Sequence, residues 1–184
     1  MTSIASEGGV DSYSSAAKWL HWIVAILIVA NIPGGILLDK VPEGPIQDRL
    51  YDLHRSTGTL ILALATIRLA VRLARGAPEP EAGLTSFERV ASIIVHKALY
   101  ALIFIVPVLG WAATSAYGAA ISVYGQFVLP PILPENEGVS KVLFALHKLS
   151  ALTLGGLALL HIAGALFHAI VRKDGVMARM LPGR

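Results

Sequence analysis

Twenty consecutive residues from Trp19 to Leu38, WLHWIVAILIVANIPGGILL, carry no charged side chain. A helix of that length crosses the roughly 30 Å hydrocarbon core of a bilayer. Leu149 to Val171 is a second uncharged run, interrupted in polarity only by two histidines, and from Ala98 to Pro134 no residue is charged over 37 positions. A run of 37 exceeds one crossing, so the helix is expected to end near Gly118 and the remainder, residues 119–134, to lie as an apolar lid or interfacial loop. A weaker span covers about Leu50 to Val71, where only Ser56 to Ile67 is free of charge and Arg68 must snorkel its head group to the interface. The composition agrees: 55 % of the 184 residues are apolar and 15 % are charged, against about 25 % charged in an ordinary soluble domain. This is not the balance of a water-soluble monomer.

The reading is therefore an all-α integral membrane protein, a four-transmembrane-helix bundle with helices at about 17–38, 50–73, 90–118 and 140–172 and no internal repeat. The segments DKVPEGPIQDR and RGAPEPEAGLTSFER read as polar connections. Residues 1–12 contain no Lys or Arg, so they lack the positive n-region of a cleaved signal peptide and read as a short disordered tail before a single domain over 13–183.

Four crossings put both termini on one side. On that side lie ten basic residues (Lys18, Arg68, Arg72, Arg75, Arg89, Lys97, Arg172, Lys173, Arg179 and Arg184), against five on the other (Lys40, Arg49, Arg55, Lys141 and Lys148). The positive-inside rule places both termini in the cytoplasm. The calculated pI of 9.3 thus reports orientation and argues against a nucleic-acid partner.

There are no cysteines, which excludes disulfides, thiolate metal sites and covalently attached c-type haem. The chemical signal is histidine. All six, His21, His54, His96, His147, His161 and His168, lie in or beside the spans. A single intramembrane histidine is often only a hydrogen-bonded packing residue, but several on facing helices mark a site, because ionisable groups at depth are costly. On the fourth helix, His147, His161 and His168 are fourteen and seven residues apart, within about 40° of one stripe. His147 and His161 are separated by about 21 Å along the axis, so two layers are implied. Levelling His147 with His54 on the second helix brings His161 level with His21 on the first. The rival pairing of His21 with His168 carries His147 beyond His54 and is disfavoured.

Two histidine pairs across a bundle suit six-coordinate haem b. Zinc is the competitor, but two ligands per layer without acids or cysteines make a poor zinc site. Gly35, Gly58, Gly155 and Gly156 could make room for a macrocycle or simply allow close helix packing. Arg68 and Arg72 share the face of His54 at the inner layer, where a haem propionate or lipid phosphate would pair with them. Pro107 reads as a helix kink.

The ordered set YSSAAKWLHW, LHRSTGTL, HKALYALIFIVPVLGW, LHKLSALTLGGLALLHIAGALFH and VRKDGVMARMLPG resembles the bacterial cytochrome b561 family, small four-helix di-haem proteins that include superoxide oxidase. The likeness runs from about Tyr13 to Gly183. It implies that His21 with His161 ligates an inner haem b and His54 with His147 an outer one. It also implies an inner-membrane location and a ubiquinone site near His168. At that end the chain departs from the family: Ala169 stands where relatives often have a second histidine, and Ser15 where they often have Arg. The resemblance assigns no ligand role to His96, which is expected at the cytoplasmic interface beside a propionate.

Three functions remain open at this point. In the first, superoxide gives electrons to the haems and ubiquinone takes them. Lys141, Lys148 and Arg55 are the cations that could attract the anion, although six acids make that side net negative over its loops. In the second, the chain is a cytochrome subunit docked to a protein electron donor, a dehydrogenase or a periplasmic cytochrome, with residues 119–134 as docking surface. In the third, it is a haem-free membrane protein whose histidines relay protons or hold another metal.

Overall fold

The computed structural model of the chain describes residues 12–81 and 83–183, so nearly all of the expected N-terminal tail lies outside the described residues. Four long helices carry the fold: α1 Ser15–Leu37, α2 Pro45–Arg75, α3 Ser86–Ala116 and α4 Glu137–Phe167. Each is long and apolar enough to cross a membrane. Apolar side chains point outward, as lipid-facing residues do: Ile26 is 64 % exposed and Leu159 is 69 % exposed.

The helices begin earlier than hydropathy alone suggests, because their first turns are specified by caps rather than by apolar residues. Pro45 occupies the first turn of α2, where its missing N–H costs nothing and its φ is already helical. Gln47, one turn in, donates from Nε2 to the carbonyls of Leu38 and Val41, both at 3.0 Å, and closes the α1–α2 connection. For α3 the segment read as a loop through Arg89 ends at Thr85. A reciprocal capping box forms there: the Thr85 hydroxyl accepts from the Glu88 N–H, and Glu88 accepts from the Thr85 N–H at 2.8 Å. Asn136 caps α4 by accepting from the Val139 N–H at 3.0 Å.

The segment expected to be an irregular apolar lid contains a β-hairpin, β1 Ile121–Val123 paired antiparallel with β2 Phe127–Leu129, with Ile121 opposite Leu129 and Val123 opposite Phe127. Tyr124 (φ 49°) and Gly125 (φ 72°) both occupy the left-handed region, and the Gln126 N–H closes onto the Val123 carbonyl at 3.0 Å. These are the features of a hairpin turn matched to strand twist. Tyr124 is a costly residue for that conformation, and α2 holds it there. The Ser56 hydroxyl, on a residue that is 1 % exposed, accepts from the Tyr124 N–H at 2.9 Å and donates to the Ser122 carbonyl at 3.0 Å. The Thr57 and Tyr124 hydroxyls lie 3.1 Å apart. Farther along, Trp111 donates from Nε1 to the Pro130 carbonyl.

The buried core sits at mid-bundle, where Val24, Ile28, Ile61, Ala65, Ile103 and Leu154 meet. Leu154 is seven residues from both His147 and His161, Ile61 is seven from His54, and Ile28 is seven from His21. Ile28, Ile61 and Leu154 therefore each lie about two turns, near 10 Å, from the paired histidine on their own helix. An apolar layer separates the two ends of the bundle, called below the hairpin end and the terminal end.

Replacing Ser56 by Ala should free the Tyr124 amide and leave the Ser122 carbonyl without that donor, at a cost of about 1–3 kcal/mol. Hydrogen exchange at residues 122–126 should accelerate while the α4 amides keep their protection. Unchanged protection at Tyr124 would show that the hairpin does not depend on this anchor.

Candidate functional site

Two histidine pairs lie on either side of the apolar layer. At the hairpin end, α2 presents His54 and α4 presents His147, with ring centroids 6.1 Å apart and planes at 88°. At the terminal end, α1 presents His21 and α4 presents His161, 6.2 Å apart and at 80°. Two imidazoles bound to one metal through bonds of about 2 Å have centroids about 6 Å apart. The spacing of both pairs matches that geometry.

The surroundings of the hairpin-end pair fit a ligand role for these rings. His147 Nδ1 lies 2.9 Å from the Val106 carbonyl, so it is the protonated nitrogen and Nε2 is left as the ligating atom. A Cβ added at Gly110 would stand 3.0 Å from His147 Cε1, and one at Gly35 would stand 2.7 Å from His54 Cε1. Both rings therefore rest against bare backbone. His54 Nδ1 is buried with no hydrogen-bond partner, an orphaned polar atom of the kind that marks an incomplete site. Asn31, a polar residue inside α1, donates to the His54 carbonyl at 3.4 Å. The other glycines singled out in the sequence lie elsewhere: Gly58 faces Asn31, Gly155 faces Ile32, and Gly156 has nothing within 4 Å.

The terminal end is richer in polar groups. His96 is exposed, its ring meets His161 edge-on at 5.0 Å, and its Nδ1 lies 2.7 Å from the Ser92 carbonyl. Arg68 donates to the Ala17 carbonyl at 3.3 Å. Both Arg68 and Arg72 lie over the Tyr100 ring, at 5.7 and 5.4 Å, and Lys18, which follows Ala17 in the sequence, is 3 % exposed. His168 pairs with no histidine. Its Nδ1 is 2.7 Å from Asp174 Oδ2. Burial favours the protonated form of the Asp174 carboxyl, but the hydrogen bonds from His168 and the Val176 N–H and the positive charge of Arg172 outweigh it, holding the group below its usual range. Arg172 contacts Glu88 at 3.4 Å and donates to the Gly83 carbonyl at 2.6 Å.

At the hairpin end the three cations expected to draw in an anion are each paired with a carboxylate: Arg55 with Asp52 at 3.9 Å, Lys141 with Glu137 at 2.7 Å and Lys148 with Asp39 at 3.6 Å. A surface pocket near His54 is lined by Asp52, Leu53, Ser56, Ser122, Tyr124 and Gly125. Sequence reasoning did not identify Gly110, Asn31, the Val106 carbonyl or Asp174. Of these, Asn31 was detectable as a lone amide within an uncharged span, and Asp174 lies in the quoted VRKDG segment without any sign of its partner.

Comparison with known proteins accords with this arrangement. The profile of the prokaryotic cytochrome b561 family matches residues 12–183. Cytochrome b561 homolog 2 of Escherichia coli K12 is 29 % identical over 175 residues, covering 93 % of this chain and 92 % of that protein. Cytochrome b561 homolog 1 of the same organism is 25 % identical over 176 residues, 95 % and 99 % of the two chains. Cytochrome b562 of Cereibacter sphaeroides is 28 % identical over 180 residues, 94 % and 96 % of the two. With four membrane-crossing helices and a match over almost its whole length, the chain belongs to the prokaryotic cytochrome b561 family, multi-pass membrane cytochromes of b type that transfer electrons.

Proposed function

We propose that the chain holds two b-type haems, one between His54 and His147 and one between His21 and His161, and oxidises superoxide at the hairpin end while reducing ubiquinone at the terminal end. The observation that carries the reading is the matched separation of the two histidine pairs, 6.1 and 6.2 Å, on opposite sides of an apolar layer. Nine basic residues of the described chain lie toward the terminal end, against five toward the hairpin end, and the positive-inside rule assigns the terminal end to the cytoplasm.

When bound, the two haems supply one-electron carriers at two depths, and bis-histidine ligation leaves no open position for oxygen to bind. The chain's own residues do the rest. The Val106 carbonyl fixes the His147 tautomer, and Gly35 and Gly110 leave space beside the rings. Arg68 and Arg72 supply positive charge at the terminal end, where propionates would need it. Two superoxide anions each give up one electron and leave as dioxygen. Ubiquinone gains two electrons and two protons and leaves as quinol.

A second reading has its own support. Because Arg55, Lys141 and Lys148 are each paired with an acid, the field that would guide a small anion to the hairpin end is weak. Phe127 and Val128 on the hairpin are 56 % and 60 % exposed and give a protein donor an apolar surface. Here the chain is a cytochrome subunit that passes electrons between a docked redox partner and the quinone pool.

Haem content tests the ligand sets. His54→Ala or His147→Ala should leave one haem per chain, and His21→Ala or His161→Ala should leave the other. Loss of a haem from His168→Ala but not from His161→Ala would overturn the pairing. Gly35→Ala, which forces a methyl to within 2.7 Å of the His54 ring, should shift or abolish only the hairpin-end haem signal in redox titration and low-temperature spectra. An unaltered pair of signals would contradict the packing argument. Stopped-flow mixing of oxidised protein with superoxide should reduce the haems rapidly, and added ubiquinone should reoxidise them. No reduction by superoxide, with reduction by a co-purifying protein instead, would establish the second reading.

A further inference from the structure

Beyond Phe167 the α4 backbone widens into a turn of π-helix over His168–Arg172, and Lys173 reverses it in the left-handed region at φ 52°. A π-turn interrupting an α-helix is uncommon and tends to occur at functional positions. Here it places Asp174 back against His168, with the Asp174 N–H bonded to the His168 carbonyl at 3.3 Å and the side chains meeting at 2.7 Å. The strap that follows is fastened to other elements. Trp22 on α1 donates to the Met180 carbonyl at 2.9 Å, and Arg179 pairs with Glu81 at 2.7 Å in the α2–α3 connection. The carboxylate is thus held by the fold rather than by a free tail.

The side chains are 13 % exposed at His168 and 20 % at Asp174, at the edge of the span and in reach of water. The charged groups around His168 are Asp174 and Arg172 from its own segment and Glu88 from the first turn of α3. Arg172 bridges Glu88 and Asp174, at 3.4 and 3.8 Å, so the carboxylate pairs with a cation on one side and an imidazole on the other. None of the proposed haem ligands uses this pair: His168 follows His161 by seven residues and, among the described aromatic rings, meets Phe167 at 5.8 Å.

We infer that Asp174 is a positioning residue for proton delivery to the quinone, anchoring His168 Nδ1–H so that Nε2 is the atom that gives up a proton. The inference rests on the quinone reading above. An imidazole hydrogen-bonded through Nδ1 to a carboxylate has a fixed tautomer and ring orientation. In the step, the Nε2–H bond of the imidazolium breaks and an O–H bond forms on the quinone oxygen as the quinone takes its electrons. Two such transfers complete the quinol, and the imidazole regains each proton from water at the terminal face. Arg172 balances the Asp174 charge when the imidazole is neutral.

The test uses the full-length haem-loaded protein in lipid nanodiscs, reduced with dithionite and mixed with ubiquinone-1 or with ferricyanide between pH 5.5 and 9. Ferricyanide accepts an electron without a proton. Asp174→Asn should keep haem content and ferricyanide rates unchanged and slow reoxidation by ubiquinone-1 about tenfold. Asp174→Glu should restore most of the rate, and His168→Gln should slow ubiquinone-1 at least as much as Asp174→Asn while sparing ferricyanide. Equal ubiquinone-1 rates in Asp174→Asn and wild type would overturn the relay and leave the quinone reading intact. Equal slowing with both acceptors would overturn it in favour of a structural role. Failure of ubiquinone-1 to reoxidise the wild-type protein would overturn the quinone reading and the relay with it.

Discussion

Lipid tails are as apolar as the faces these helices would bury against one another, so hydrophobic burial cannot hold the bundle together as it would a soluble domain. What can is the cost of leaving a polar group unmatched at depth. The structure is organised around that constraint. His147 reaches across to the Val106 carbonyl, Asn31 reaches the His54 carbonyl, and Trp22 reaches the Met180 carbonyl. Ser56 uses its one hydroxyl both as donor and acceptor to fix the hairpin. Each contact joins segments distant in sequence, and together they set the register in which the histidine pairs meet. The one described exception, the orphaned Nδ1 of His54, falls on a residue whose ring is proposed to carry a metal.

The histidine levels illustrate what a sequence can reveal in this class. Helix geometry converts spacing into depth with little freedom, since 1.5 Å per residue holds along each span. The fourteen residues from His147 to His161, set against the positions of His54 and His21, were enough to say which rings stand level. The uncharged runs located the spans for the same reason, because charge is excluded from hydrocarbon whatever the packing. Helix starts were less legible from hydropathy, although Thr85 and Glu88 spell a capping box in the sequence itself.

Features that depend on a chain reversal or on two remote side chains were not legible. The hairpin lies in an apolar run without clear alternation, and its turn uses a tyrosine in the left-handed region that only the contacts with Ser56 and Thr57 make tolerable. Gly110 carries no local sign that His147 will rest on it. The approach of Asp174 to His168 requires a π-turn and a left-handed lysine, neither of which has a sequence signature. The pairing of Arg55, Lys141 and Lys148 with acids is likewise a matter of rotamers and neighbouring turns, and it weakens an electrostatic argument that charge counting had already made thin.

The apolar layer of Ile28, Ile61, Ile103 and Leu154 has an electrical meaning. Its own side chains offer water and protons no polar group, whereas an electron can tunnel between carriers held on either side of it. If carriers occupy both histidine pairs, each transfer moves a bare charge through part of the bilayer dielectric with no compensating ion beside it. A full crossing is worth about 2.3 kcal/mol per 100 mV of membrane potential, and the partial crossing between the two layers takes a corresponding fraction. The bundle would then respond to voltage as well as to its redox partners, and the same packing that separates the two sites would set how strongly.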